Sequence, residues 1–238
     1  MQVGIDSYSY HRRYGESRAG EAPSAREPWP FEPGPVLRHA ADVGADAVFL
    51  ETCYLPAPEA IDAAMLAPAT ERGIRVGFSW GHPWPDGAFH GLDGGRSPGA
   101  EVDLRRWIDA AASHGQDVLR ITAGSPASRG DESAETLVRR LVAPMRRAAD
   151  YAGERGVRLA LENHGDLRVA DILALFERVD RPDVMGVTLD NVNLIRVGDD
   201  MADGTRALAP HTLLVQLKDH LAGDPTVWGG PVCTALGE

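Results

Sequence analysis

Gly156-Val157-Arg158-Leu159-Ala160-Leu161-Glu162-Asn163-His164-Gly165 is the stretch whose reading decides the fold. A turn residue opens it, a short apolar run follows, and it stops on three polar side chains. Apolar runs this short, bounded by turn residues, read as strands buried on both faces, as in parallel sheets. A glutamate at the end of such a strand is costly unless a metal ion or a substrate hydroxyl compensates it. Side chains two apart on a strand share a face, which turns Glu162 and His164 toward one pocket and Asn163 aside.

The same unit recurs outward from this stretch in both directions. Further short apolar runs predict strands over 3–6, 45–51, 74–79, 117–122, 184–190 and 211–217. Helical periodicity falls between them, over 35–43, 57–72, 102–114, 169–179 and, shorter and less regular, 193–208. A long helix capped by Asp131 or Ser133 runs to Arg155, and Pro144 within it predicts a kink or a break. Two Pro/Gly-rich stretches, 8–34 and 80–99, are long for a compact domain, which marks them as functional or disordered. Strands alternating with helices imply parallel pairing through right-handed crossovers.

An open doubly wound sheet and a closed barrel both fit that rhythm. The open sheet normally carries a glycine fingerprint after its first strand, and none is present here. Polar residues instead end nearly every strand: Asp6, Glu51, His82, Arg120, Glu162, Asp190 and Lys218. A barrel assembles its site at one rim from many strand ends. The expectation is therefore an α/β fold, a (β/α)8 TIM barrel in one domain over residues 1–238. A full barrel has eight strands in typically ~250 residues. Only seven β/α units are visible, so the eighth is expected to be lacking or truncated.

Composition narrows the function. The chain is 43% hydrophobic and 25% charged, ordinary for a globular protein, and its formal net charge of -11 gives a nucleic-acid partner no general attraction. No apolar run approaches the ~20 residues that span a bilayer, and no secretory signal is visible. Two cysteines, Cys53 and Cys233, are too few for a disulfide framework and suit a reducing cytoplasm. Of 24 basic residues one alone, Lys218, is a lysine. A compact ammonium is not interchangeable with a planar guanidinium, which marks Lys218 as a position chosen for chemistry.

Glu162, Asp190 and Gln216 stand at the ends of consecutive strands. Two carboxylates and an amide oxygen make an oxygen-rich site for a divalent cation such as Mg²⁺ or Mn²⁺. Lys218 shares a face with Gln216 and is placed to stabilise a developing alkoxide, with Asp219 turned away to hold it. Thr188 fills the layer beneath Asp190. Plainer roles compete. A lone Asp190 is most often a helix cap. Glu51 pairs readily with an arginine, Arg120 suits a core ion pair, His82 suits a loop, and Trp80 and Trp84 suit packing.

The runs from Leu159 to Asp166, Gly186 to Asn193 and Val215 to Asp219 together resemble the sugar phosphate isomerase/epimerase superfamily of xylose-isomerase-like TIM barrels. The resemblance implies a divalent metal held by Glu162 and Asp190. It places a histidine, the common third ligand, where this chain has Gln216, and a further glutamate on an eighth strand. Asn193 stands where the epimerases often have a substrate-binding histidine. The implied activity is a divalent-metal-dependent isomerase or epimerase of a sugar or polyol. Its catalytic residues would be Glu162 and Lys218, and Glu51, His82, Arg120, His164 and Asn193 would contact the substrate. The stretch 8–34 would form a lid. Two alternatives stand beside it: a lyase of the inosose-dehydratase type and a non-catalytic sugar-binding barrel. Exposed sheet edges would favour a homo-oligomer.

Overall fold

A computed structural model describes residues 2–16, 27–82, 90–221 and 232–234. Seven strands form one parallel sheet in chain order: β1 Gly4–Asp6, β2 Ala47–Glu51, β3 Arg75–Trp80, β4 Val118–Ile121, β5 Arg158–Glu162, β6 Met185–Asp190 and β7 Thr212–Gln216. Neighbours in sequence are neighbours in the sheet, the topology of a TIM barrel. The sheet curls until its two ends meet: the Gln216 side chain donates to Asp6 Oδ2 at 2.9 Å, from the last strand to the first.

The helices are α1 Gly34–Asp42, α2 Ala63–Thr70, α3 Pro98–Ser113, α4 Pro126–Arg129, α5 Ala134–Gly153, α6 Val169–Val179, α7 Asn191–Arg196 and α8 Met201–Leu208. Their starts follow from local chemistry. The side chains of Asp62, Ser97, Ser133 and Asp200 accept from the third N–H of the helix that each precedes, meeting a donor left open by the first turn. The outward residues of the strands, among them Leu50, Phe78, Leu119, Leu159 and Leu161, are buried against apolar helix faces. On α5 that face is Leu137, Val138, Leu141, Met145, Ala148, Ala149 and Ala152.

Several expectations change in detail. The helix through Pro144 does not break: α5 runs on to Gly153 with the ring buried. The predicted helix over 57–72 is a short 3-10 turn, Pro58–Ala60, and then α2, which starts where Asp62 caps it. The irregular helix over 193–208 is two helices, α7 and α8. The chain after Lys218, read as loop, contains an antiparallel pair, β8 Asp219–Leu221 with β9 Val232–Thr234. Within the expected lid, Ser7–Tyr14 forms a 3-10 helix capped by Asp6, and residues 17–26 lie outside the described set, as does Trp84. At the sheet's ends Val3, Val215 and Leu217 are exposed. No described helix is long and apolar enough to cross a membrane.

Inward-facing residues stack in rows. One row joins Glu51, Ser79, Arg120 and Ala160 across β2 to β5, and the row above joins Glu162 to Thr188. A lower row places Phe49 opposite Gly77, where an added Cβ would lie 2.5 Å from the Phe49 ring. Gly77→Ala therefore overpacks the interior and is expected to cost about 1–3 kcal/mol of stability. Urea unfolding of the variant measures it; an unchanged midpoint would show that the ring moves aside freely.

Candidate metal and acid–base site

The site forms where the inward residues reach the C-terminal ends of the strands. Ser79 and Ala160 are small, so the row they share with Glu51 and Arg120 has room for an ion pair that spans β3. Arg120 is 6% exposed and donates from Nη1 to Glu51 Oε1 at 2.5 Å. Its Nε donates to Glu162 Oε2 at 2.7 Å, and Nη2 reaches the same oxygen. One guanidinium thus ties the carboxylates of β2 and β5 through a fork that no lysine can reproduce. Asn193, at the start of α7, donates its amide to the other Glu162 oxygen at 3.2 Å.

Asp190 serves two purposes at once. Its Oδ1 accepts the N–H groups of Val192 and Asn193, capping α7, and its Oδ2 pairs with the Lys218 ammonium. Lys218 is thus held by Asp190. Gln216 gives its N–H to Asp6, while its Oε1 is buried with no hydrogen-bond partner. Thr188 lies below and donates to the Ala160 carbonyl at 3.2 Å. His164, just past β5, has Nδ1 3.0 Å from the Gly124 carbonyl. His82 lies 3.5 Å from Glu16, whose carboxylate also accepts from Tyr8 at 3.2 Å and Tyr54 at 2.5 Å. The structure therefore gathers Glu51, Arg120, Glu162, Asp190, Asn193 and Lys218 into one chain of direct contacts. His82 belongs to a separate cluster with Glu16.

Trp80, as the plainer reading had it, is a packing residue: it is 1% exposed and its indole donates to Asp103 at 2.8 Å. Asp6 and Glu16 had gone unremarked as members of these clusters. Asp6 carried a signal, a carboxylate ending a strand; Glu16 sits in a stretch with no periodicity to place it.

The charges do not cancel. Asp6, Glu51, Glu162 and Asp190 face two cations, Arg120 and Lys218, a formal excess of two negative charges. The four carboxylates respond unequally. Burial pushes Glu51 up to about 8, against the pull of Arg120. Burial likewise raises Asp6 and Asp190, opposed by Arg120 and Lys218 respectively. Burial would raise Glu162 too, but Arg120, with His164 and Lys218, outweighs it and holds Glu162 well below the ordinary carboxylate range. A divalent cation would match that excess. Glu162 and Asp190 offer carboxylate oxygens on adjacent strands and Gln216 an unpartnered amide oxygen beside them, which suits a hard ion. Among the described residues no three His, Cys, Asp or Glu side chains are grouped to hold one ion.

Glu51 gives a pH signature. The folded protein keeps its proton while the unfolded chain, with the ordinary value of 4.5, has lost it. Stability should therefore fall as pH rises from about 5 to 8, by up to about 1.4 kcal/mol per pH unit, the slope for one proton. Glu51→Gln should flatten that slope in chelator-treated protein, read from urea midpoints; an identical slope in the variant would place the proton elsewhere.

The chain matches the family model described as xylose isomerase-like TIM barrel over residues 37–227. Comparison with curated proteins gives no match. Solved structures of the same fold include a xylose isomerase domain protein from Planctomyces limnophilus, at 19% identity and TM-score 0.71, covering 99% of this chain and 81% of that one. A D-psicose 3-epimerase solved in the presence of D-fructose is 17% identical with TM-score 0.67, covering 94% and 76% of the two chains. A xylose isomerase-like protein from Mycobacterium smegmatis, in complex with magnesium, is 16% identical with TM-score 0.67, covering 98% and 79%. With seven parallel strands in barrel order and the family model spanning β2 through β7, the chain belongs to the xylose isomerase-like TIM barrels.

Proposed function

We propose that this chain is a divalent-metal-dependent isomerase or epimerase that moves a proton at a carbon next to the carbonyl of a sugar or polyol-derived ketone. The observation that carries this reading is the contrast between Glu162 and its neighbours. It is held ionised by Arg120 inside a cluster whose other carboxylates are driven toward their protonated forms. A carboxylate ionised at neutral pH is free to accept a carbon-bound proton, and the pull of Arg120 that keeps it ionised also lowers its basicity. Neighbouring groups with acidities pushed apart are the usual mark of acid–base work.

Glu162, Asp190 and Gln216 would hold the ion, Mn²⁺ or Mg²⁺. When bound it would polarise the substrate carbonyl and so acidify the adjacent C–H. The remaining steps belong to the chain. Glu162 takes the proton, and the electron pair moves onto the carbonyl oxygen. Lys218 stands beside Asp190 to meet the negative charge that develops there. Asn193 fixes the Glu162 carboxylate through its amide, and Arg196 in turn donates to Asn193 Oδ1 at 2.9 Å. His164 presents Nε2 to substrate hydroxyls. Glu51 and Arg120 act from the row below by setting the charge of Glu162.

The test pairs metal content with proton exchange. Purified, unchelated protein is expected to carry near-stoichiometric Mn²⁺ or a similar ion, lost in Asp190→Asn. In ²H₂O the wild type is expected to wash deuterium into the carbon next to the carbonyl of a ketose or inosose, detected by NMR. Glu162→Gln should lower that rate about 10²–10⁴-fold, the contribution of a general base, with an unchanged circular dichroism spectrum. Full exchange in Glu162→Gln would sink the assignment. Absence of metal, and of any thermal shift on adding one, would favour a non-catalytic barrel.

A further inference from the structure

Two asparagines perform the same task one strand apart. Asn163 follows Glu162 at the end of β5, and its carboxamide makes both hydrogen bonds to the backbone of Asp190 on β6. Nδ2 donates to the Asp190 carbonyl at 2.8 Å, and Oδ1 accepts the Asp190 N–H at 2.7 Å. Asn191 follows Asp190 at the end of β6 and does the same to Lys218, which lies just past β7. Nδ2 donates to the Lys218 carbonyl at 2.8 Å, and Oδ1 accepts the Lys218 N–H at 2.9 Å. In both places the sequence reads carboxylate then asparagine, Glu162-Asn163 and Asp190-Asn191.

The position of these forks in the sheet explains their value. The ladder between β5 and β6 ends at the pair Glu162 and Thr188, and that between β6 and β7 at Asp190 and Gln216. Asp190 lies two residues beyond Thr188, and Lys218 two beyond Gln216, so each stands one rung past the last pairing with the strand before it. A carboxamide carries one acceptor and two donors in a plane, the same fork that a peptide offers. Each asparagine thus adds a side-chain rung where the backbone ladder has stopped. The need is greatest at Lys218. Among the described residues β7 pairs with β6 alone, and Val215 within it and Leu217 just past it are 57% and 67% exposed.

We propose that Asn163 and Asn191 are positioning residues that act in series. The first sets the backbone of Asp190 relative to Glu162; the second sets Lys218 relative to Asp190. The ammonium then meets the Asp190 carboxylate because both backbones are clamped to one frame. The roles of Asp190 and Lys218 rest on the function proposed above, but the clamp itself is a statement about the backbone and is tested separately from it.

The test is made on the full chain with Asn191→Leu, which keeps the shape without the fork, and Asn191→Asp, which keeps an oxygen for the Lys218 N–H but loses the donor. Amide hydrogen exchange is followed at Lys218 and at Val187 and Leu189 of β6. Acetylation of Lys218, the chain's single lysine, is followed by peptide mass spectrometry with an N-hydroxysuccinimide acetate. In Asn191→Leu the Lys218 amide should exchange at least about tenfold faster and its ammonium should acetylate faster, with Val187 and Leu189 unmoved. Asn191→Asp should fall between. Asn163→Leu should lower Mn²⁺ affinity about 10–100-fold, the usual effect of removing a group that orients a ligand. Lys218 exchange unchanged in Asn191→Leu, or rising together with β6, would overturn the clamp. A wild type that binds no Mn²⁺ would overturn the metal reading and leave the exchange result to decide the clamp.

Discussion

Four carboxylates, Asp6, Glu51, Glu162 and Asp190, share one barrel rim with two cations. Buried charge without compensation is among the costliest things a fold can contain. The surrounding structure is arranged to meet that cost. Small residues, Ser79 and Ala160, clear a path for the Arg120 guanidinium between Glu51 and Glu162. Asp190 spends one oxygen on the start of α7 and the other on Lys218. Gln216 reaches across the ends of the sheet to Asp6. What remains uncompensated amounts to two charges, met by protons on the weaker carboxylates or by one divalent ion. This two-way choice links the stability of the fold to its chemistry.

The unequal sharing of Arg120 gives the rim its direction. Glu162 receives two of its donors and Glu51 one, so the first stays ionised and the second holds a proton near neutrality. Arg120 thus holds Glu162 ionised above a neutral Glu51. The amide forks of Asn163 and Asn191 add the geometric part, because a charge is useful to a reaction only at a fixed place.

The sequence disclosed the strands because a buried parallel strand has to be apolar along its length, and Leu159-Ala160-Leu161 and Val187-Thr188-Leu189 show it. It disclosed the carboxylates because a charge at the end of such a run is conspicuous. Asp190 could be read as a cap or as a ligand; it is a cap, and its other oxygen pairs with Lys218. Pro144 does not end α5, since a proline ring inside a helix that packs tightly along one face need not break it. The 3-10 helix at Ser7–Tyr14 left no periodic trace. The partners of Arg120 and the two asparagine clamps depend on which strands are adjacent and on where each ladder stops. Residue spacing within one strand carries neither, although the repeated pair of carboxylate and asparagine was visible in the text of the chain.

On the function proposed above, protons on the rim carboxylates stand where a divalent ion would bind. Metal binding to such a site must expel them. Calorimetric titration of the chelator-treated protein with Mn²⁺ at pH 6.5, in buffers of different ionisation enthalpy, counts the protons released per ion. This account predicts a release of about one to two protons per Mn²⁺, reduced by about one in Glu51→Gln. Binding of Mn²⁺ with no proton released would contradict it, because the rim's charge would then be met by some other means.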